Sequence, residues 1–305
     1  MSGVFAGFAT IAVLIGLGIV LAHVGMIDAN GQRTLATLAF FVASPALLVT
    51  VLEDTDVSAV FSGNLLASAA AVAVVGVVSV VASVARGDDL AHGVVAAMTS
   101  GYVNAGNLGI PIAAYVLGDA ALVAPTLLLQ LLVLQPLALT LLDVAVLPSR
   151  PSIAAILLRP LKNPITVGSA IGLALALADL TLPTAIHDPL ELVAGMSVPS
   201  MLLAYGVALR LGPLPGRGVP VAELTSVVVL KMAVQPIAAY TVGRLVGLDE
   251  HGLLAVTVLA ALPTAQNVFI MASRYNRATL LARDAIFVST LCSVPVITVI
   301  AALLA

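Results

Sequence analysis

The chain has 305 residues, of which 61% are hydrophobic and only 9% are charged, and its mean hydropathy is +1.18. A soluble domain of this length could not bury so much apolar surface, so the composition excludes that class and predicts an all-α polytopic membrane protein. The formal net charge of −3 and the lack of basic runs interleaved with aromatic residues argue against a nucleic-acid partner.

Ten apolar segments have about the length, roughly 20 residues, that a membrane-spanning helix needs. They fall near 4–24, 33–52, 62–85, 91–117, 121–146, 164–180, 190–210, 222–246, 250–273 and 279–304. The first has no basic residue ahead of it and no small-residue cleavage site behind it, so we interpret it as a retained span. The single cysteine, Cys292, excludes an intrachain disulfide and a zinc cage, and we expect no metal.

The basic residues predict the orientation of these spans. Apart from Lys231, only Arg244 falls at an even-numbered connection, and all other Lys and Arg residues fall at odd-numbered ones. The positive-inside rule then places the odd connections in the cytoplasm and both termini outside. We therefore expect a multi-pass protein of the cell (cytoplasmic or inner) membrane.

The fourth segment is interrupted at its middle by residues 104–111, Asn-Ala-Gly-Asn-Leu-Gly-Ile-Pro. Glycine relaxes the backbone and proline lacks an amide hydrogen, so Gly106, Gly109 and Pro111 predict a break in the helix. A break at this depth leaves carbonyls and amides that hydrocarbon cannot satisfy. It is tolerated only where it is buried in protein or lines a watery cavity, which makes it a candidate binding site.

The ninth segment is interrupted in the same way, at residues 263–267, Pro-Thr-Ala-Gln-Asn. Each arm of about 11 residues would be about 16 Å long, so each break lies near the midplane of a core about 30 Å thick. If the two broken helices cross, their N-terminal ends favour an anion and their freed carbonyls could hold a cation. Pro263 is the break residue here. Substrate-binding candidates at both breaks are Asn104, Asn107, Gln266 and Asn267, with helix capping as the alternative for the first two.

The polar connection 148–163 divides the chain into two five-span units, 1–147 and 164–305. Because five is odd, the units face opposite ways, and any similarity between them is an inverted repeat. Pairs of residues at one common offset, 159, support the repeat: His92 with His251, Gly93 with Gly252 and Pro136 with Pro295.

Lys231 is the one basic residue within a span, eight residues beyond Glu223 and so about 12 Å from the cytoplasmic end. Its side chain could snorkel to the interface or pair structurally. The alternative is a fixed positive charge that substitutes for a coupling cation. No Asp or Glu lies near the middle of any span, which argues against a carboxylate proton relay but leaves other proton coupling open.

With these motifs in hand, the chain resembles the auxin efflux carrier family, the bacterial relatives of the plant PIN-formed carriers, over essentially its full length. The resemblance rests on residues 104–111 with 115–119, on 260–263 through 272–276, and on 231–236. It implies that Asn104 is the anion-coordinating asparagine and that Pro263 is the proline of the second break. The plant proteins have a proline where this chain has Val103, which argues against an indole-acid substrate. Bacterial members are associated with small carboxylates such as malate or malonate.

The resemblance also implies a two-domain, elevator-type carrier with crossed helices, in which a scaffold, often dimeric, supports a mobile transport domain. The scaffold would comprise the spans near 4–24, 33–52, 164–180 and 190–210, and the transport domain those near 62–146 and 222–304. Ser44, Pro45, Ser197 and Pro199, in the second and seventh spans, are the scaffold-side candidates, and the two prolines are expected to kink their helices.

We therefore expect a secondary transporter of a small organic anion, without a cofactor, as a homodimer through the scaffold. The alternatives are a sodium-coupled organic-anion symporter of the bile-acid type and a membrane sensor that does not transport. An enzyme is not expected, because the chain has no GxSG or HExxH motif and no paired acids at membrane depth. The substrate, the direction of transport and the coupling ion, sodium or proton, are left open by the sequence.

Overall fold

The computed structural model describes residues 2–53, 63–109, 112–146 and 163–304. Within these residues the secondary structure is helical, apart from an isolated antiparallel bridge between Val103 and Thr264. From the N-terminus the principal helices are α1 (Ser2–His23), α2 (Ala29–Glu53), α3 (Gly63–Arg86), α4 (Leu90–Gly101), α5 (Ala124–Ala145), α6 (Pro164–Leu177), α7 (Thr184–Leu211), α8 (Val221–Leu245), α9 (Glu250–Ala260), α10 (Gln266–Tyr275) and α11 (Thr279–Leu304).

Six of these helices, α2, α3, α5, α7, α8 and α11, are long and apolar enough to cross a membrane. Three shorter apolar helices, Ala12–His23, Pro164–Leu177 and Glu250–Ala260, lie within the predicted first, sixth and ninth spans. The prediction of an all-helical, multi-pass membrane protein is thus confirmed. The count of ten crossings, the inverted repeat and the two-domain division stay predictions.

Three of the long helices contain a π-helical turn that ends two positions before a proline. These turns are Ala39–Ala43 before Pro45, Leu129–Leu134 before Pro136 and Leu230–Val234 before Pro236. Proline cannot donate to the helical ladder, so the hydrogen bonds shift register in the turn ahead of it.

Helix α7 is interrupted near Pro199, but the prediction that this proline causes a kink is wrong. Residues 195–196 form a turn, and the second part of α7 begins at Ser197, so Pro199 lies in a first turn. In a first turn the missing N–H would have no intrahelical partner anyway. The interruption of α7 therefore precedes the proline and does not result from it.

Glycines let the backbones of two helix pairs approach closely. A Cβ atom at Gly18 of α1 would lie 2.5 Å from the carbonyl oxygen of Leu203 in α7, and one at Gly168 of α6 would lie 2.6 Å from that of Pro45 in α2. Small residues at helix interfaces are the usual means of close packing in membranes. The pairs α1–α7 and α2–α6 are therefore in direct backbone contact.

Gly18→Ala is expected to destabilise the protein by about 1–3 kcal/mol, because the added methyl group would force apart two backbones that cannot yield. Gly16→Ala is the matched control on the same helix, since a Cβ atom there meets nothing within 4 Å. The measurement is the midpoint of thermal unfolding of the purified protein in detergent. Equal midpoints for the two variants would contradict a packing role for Gly18.

Both predicted interruptions are present, and the first begins earlier than expected. Helix α4 ends at Gly101, and Tyr102, with φ −87° and ψ 101°, starts an extended segment through Asn104. The chain then returns to a π-helical turn, Ala105–Gly109. Among the described residues the break is at 102–104, and the expectation that Gly106 and Gly109 form it is wrong there, because both lie in the turn after it. Pro111 lies outside the described residues.

The second interruption matches its prediction at Pro263, which is followed by a non-helical Thr264 and Ala265. Helix α9 ends at Ala260 and helix α10 begins at Gln266. Gln266 and Asn267 therefore belong to the first turn of α10 and not to the break. Gly109 packs against this region, because a Cβ atom there would lie 3.2 Å from the side chain of Leu262.

Candidate functional site

The two interruptions pair with each other through their backbones. The Asn104 N–H donates to the Pro263 carbonyl at 2.8 Å, and the Ala265 N–H donates to the Tyr102 carbonyl at 3.0 Å. These bonds form the antiparallel bridge between Val103 and Thr264. Extended backbone in an apolar setting is stable only with such partners, so each interruption supplies the hydrogen bonds that the other needs.

Polar side chains from other segments satisfy further carbonyls of the first interruption and of the last turn of α4. The Gln130 side-chain amide donates to the Val103 carbonyl at 2.8 Å, and that of Gln235 donates to the Gly101 carbonyl at 2.9 Å. The Thr264 hydroxyl donates to the Thr99 carbonyl at 2.6 Å. These residues lie in α5, α8 and the second interruption, so the site is fixed by contacts between segments far apart in the chain.

The Asn104 side chain joins the two interruptions. Its Nδ2 donates to Oε1 of Gln266 at 2.9 Å, and only 2% of the residue is exposed. Its backbone carbonyl accepts from the N–H groups of Leu108 and Gly109, at 3.2 and 3.0 Å, as the carbonyl at the start of a helical turn does whatever its side chain. Gln266 is itself buried, and its Nε2 atom has no hydrogen-bond partner among the described residues.

Asn267 lies at the positive end of a helix. It is half-buried, and its side chain reaches the hydroxyl of Tyr102. No side chain caps the N-terminus of α10, where it stands. Because free amides and the helix dipole favour negative charge at such an end, this part of the site suits an anion. Asn107 belongs to the turn Ala105–Gly109, and its side chain lies outside what the structure describes.

A cavity of about 230 Å³ lies against both interruptions. We call it the central cavity. Its polar lining comes from Ser44, Tyr102, Asn104, Gln130, Gln135, Ser197 and Asn267, and the rest is apolar or glycine. Among the described residues that line it, none is acidic or basic. The donors available to a ligand are thus amides and hydroxyls.

The structure separates the four scaffold-side candidates. Ser44 of α2 and Ser197 of α7 both line the central cavity, and their hydroxyl oxygens are 3.0 Å apart. Pro45 and Pro199, the next candidates along each helix, do not line it. The carbonyl of Pro45 instead contacts α6 near Gly168. The prolines therefore affect the backbone, and the serines face the cavity.

Lys231 does not snorkel, because its side chain is fully buried. Its Nζ donates to Oε1 of Gln235 at 2.6 Å and to the carbonyl of Ala260 at 2.8 Å. Ala260 is the last residue of α9, and Gln235 bonds in turn to Gly101, the last residue of α4. The Lys231 side chain is thus linked by hydrogen bonds to the C-terminal, negative ends of both interrupted helices.

Tyr102 is the principal site residue that the sequence did not single out. It is 2% exposed, lines the central cavity and donates its hydroxyl to Oε1 of Gln135 at 2.7 Å. Its position, two residues before Asn104 in an otherwise apolar span, was the available signal. The sequence indicated Thr264 only as part of the second break. Its backbone N–H donates to the Ser289 hydroxyl in α11 at 3.1 Å, a contact that neighbouring residues in the sequence do not predict.

One group of described residues has the donor types of a metal site: Asp88, His92 and Glu223. The guanidinium of Arg86 already contacts both carboxylates, at 2.9 Å from Asp88 and 3.0 Å from Glu223. His92 lies 2.6 Å from the same Glu223 oxygen. The arginine fills the role of the cation, so the group is an ion-pair network between the α3–α4 connection and the start of α8. Asp89 caps the start of α4, because its side chain accepts from the His92 N–H at 2.7 Å.

Two helices interrupted at membrane depth, meeting at a polar cavity, are typical of secondary transporters. The chain matches the model of the family described as "Membrane transport protein" over residues 4–301, and it belongs to that family. This is the auxin efflux carrier family that the sequence motifs indicated. A protein of Rhizobium meliloti (strain 1021) named "Putative malonate transporter" is 26% identical over 297 residues, which cover 93% of this chain and 91% of the relative.

Proposed function

We propose that the protein is a secondary transporter that binds a small carboxylate in the central cavity. The observation that carries the proposal is the composition of this cavity. Both interruptions contribute to it, its polar groups are amides and hydroxyls, and no acidic side chain lines it among the described residues. An anion would meet hydrogen-bond donors there and no fixed negative charge.

The size and polarity of the cavity favour a short carboxylate. Its volume of about 230 Å³ is below the range of roughly 300–1,000 Å³ that is usual for drug-sized ligands. Asn104 and Asn267 offer side-chain amides, and the uncapped N-terminus of α10 offers backbone amides. Gln266 does not line the cavity, and it acts on the site through Asn104, whose side chain it holds by accepting at 2.9 Å. The relative named for malonate suggests a dicarboxylate.

The proposed mechanism is elevator-type alternating access. The central cavity is bounded by α2 and α7 through Ser44 and Ser197, and by the two interruptions on its other side. If α1, α2, α6 and α7 form the scaffold, the substrate lies at its boundary with the transport domain, and movement of that domain carries the site. The close backbone contacts at Gly18 and Gly168 support a rigid scaffold. A homodimer through the scaffold, in the cytoplasmic membrane with both termini outside, completes the proposal.

The proposal includes transport that does not depend on sodium. In crossed-helix carriers the negative ends of the interrupted helices can hold a coupling cation. Here Lys231 bonds to the end of α9 directly and to the end of α4 through Gln235. We infer that the Lys231 side chain, held at both helix ends by these bonds, stands in for a coupling sodium ion. This arrangement favours the uniporter or proton-linked carrier over the sodium-coupled alternative.

We expect proteoliposomes that contain the purified protein to take up radiolabelled malonate, with acetate, malate and succinate as competitors. Replacing sodium by potassium is expected to change the rate of malonate uptake by less than about twofold. A pH gradient, imposed separately, tests whether uptake is linked to protons. Liposomes without protein are the control. No uptake of any carboxylate by a folded protein would contradict the transporter proposal, and uptake that requires sodium would support the bile-acid type of symporter.

A further inference from the structure

A second and larger cavity lies at the end of the helix bundle that the basic residues assign to the cytoplasm. It measures about 550 Å³ and shares no lining residue with the central cavity. We call it the vestibule cavity. Its wall is formed by α2 and the end of α7 on one side, and by the end of α10 and the start of α11 on the other.

The vestibule cavity is lined by three arginines and by no acidic side chain of the described residues. Arg33 and Arg274 form no ion pair within the described part of the chain. The Arg274 guanidinium lies 5.0 Å from the centroid of the Phe41 ring, a contact that orients the charge without neutralising it. The positive charges of Arg33 and Arg274 therefore face the vestibule cavity without an acidic partner among the described residues.

A buried serine hydroxyl adds an independent sign of a ligand. Ser273 lines the cavity, and its hydroxyl makes no hydrogen bond to any described residue. A buried hydroxyl without a partner is costly, and an anion in the cavity would accept from it. The third arginine, Arg283, is 1% exposed, and its Nη2 lies 2.5 Å from Oδ1 of Asp284, so its charge is already paired.

We propose that the vestibule cavity is a second anion site, where Arg33, Arg274 and the Ser273 hydroxyl bind a small dicarboxylate before it reaches the central cavity. The identity of the ligand rests on the proposed function, whereas the site rests on the arginines. Inorganic phosphate shares the relevant chemistry, two negative charges on a compact group, and is expected to compete.

The two cavities are adjacent along α10. Asn267 lines the central cavity and Ser273 the vestibule cavity, and six residues of helix separate them by about 9 Å. Between them Phe269 packs edge-on against Tyr205 of α7, with ring centroids 5.4 Å apart, and both residues are buried. A dicarboxylate held by the arginines would therefore stand one aromatic layer away from the central cavity.

The test is a protection experiment on the full chain in detergent. Thr37, an exposed residue of the vestibule wall, is replaced by cysteine in a Cys292→Ser background, and its alkylation by a charged maleimide is timed. Malonate or phosphate is expected to slow alkylation at least about threefold relative to chloride at equal ionic strength. The double variant Arg33→Gln/Arg274→Gln is expected to lose this protection. Arg217→Gln, an exposed arginine that lines neither cavity, is expected to keep it.

Two further arms separate this proposal from the central one. Protection is expected to persist in Asn104→Ala, because Asn104 lines only the central cavity. In proteoliposomes, the double arginine variant is expected to raise the KM for malonate about fivefold and to leave the maximal rate within about twofold. Equal alkylation rates with malonate, phosphate and chloride would overturn the vestibule site. Protection without any carboxylate transport would retain the site and contradict the proposed function.

Discussion

Asn104→Ala is expected to weaken malonate binding about 10- to 100-fold, because the side chain is a donor in the central cavity. A hydrogen bond to a charged ligand contributes roughly 1.5–3 kcal/mol, and each 1.4 kcal/mol corresponds to a factor of about ten in the dissociation constant. The measurement is the dissociation constant for malonate, by titration calorimetry of the purified protein.

The fold is expected to survive this change. The pairing of the interruptions uses the backbone N–H of Asn104, which donates to Pro263 in any variant. Elution as a single species in size-exclusion chromatography checks this point. Asn30→Ala, an exposed asparagine at the start of α2, is the matched control and should bind as the native protein does.

Asn104→Asp separates the charge of the ligand from the shape of the site. Aspartate has nearly the same size, but it places a negative charge in a cavity where no described lining residue is charged. A carboxylate substrate is expected to bind it at least as weakly as it binds the alanine variant, through repulsion in a low dielectric. Binding within threefold of the native value in either variant would remove Asn104 from the site.

Lys231→Met is expected to reduce malonate transport more than tenfold and to destabilise the protein by about 2–5 kcal/mol. The change leaves the Ala260 carbonyl and Oε1 of Gln235 without their donor, inside the protein and next to two negative helix ends. Methionine has a similar length, so the loss reports the charge and the hydrogen bonds more than the volume.

Arg244→Met is the control for Lys231→Met, since it removes one positive charge from an exposed position on the same helix. Thermal unfolding in detergent and malonate uptake are measured for both variants. Gln235→Leu extends the test, because a double variant that is no worse than its singles would show that the two residues act as one unit. A Lys231→Met protein with native unfolding and native transport would contradict the proposed role.

The sequence located the site better than it located its parts. Asparagine, glycine and proline at membrane depth sufficed to predict both interruptions, because few folds tolerate them there. The first break is nevertheless displaced from its glycines to residues 102–104. It begins where Gly101 and Val103 find acceptable donors in Gln235 and Gln130, which are distant in the chain. Local residue preferences carry no information about such partners.

The direction of side chains was the weaker part of the prediction. The rise per residue of a helix predicts how deep Lys231 lies in the membrane, but not whether its side chain faces lipid or protein. Its burial results from the nearby ends of α4 and α9. In the same way, Ser44 and Pro45 are neighbours in sequence, yet only the serine lines the cavity. Helix rotation, which depends on packing such as that at Gly168, decides between them.

The pairing of Tyr102–Asn104 with 263–265 also constrains how the protein is made. About 160 residues separate the two segments, so at 5–20 residues per second the first waits roughly 10–30 seconds for the second to be synthesised. During that interval its backbone groups must be satisfied by water or by the insertion machinery. If the nascent chain entered the lipid before residue 265 had been synthesised, the backbone groups of residues 102–104 would be exposed to hydrocarbon. Assembly of the site therefore depends on synthesis of the last third of the chain, which contains residues 263–265.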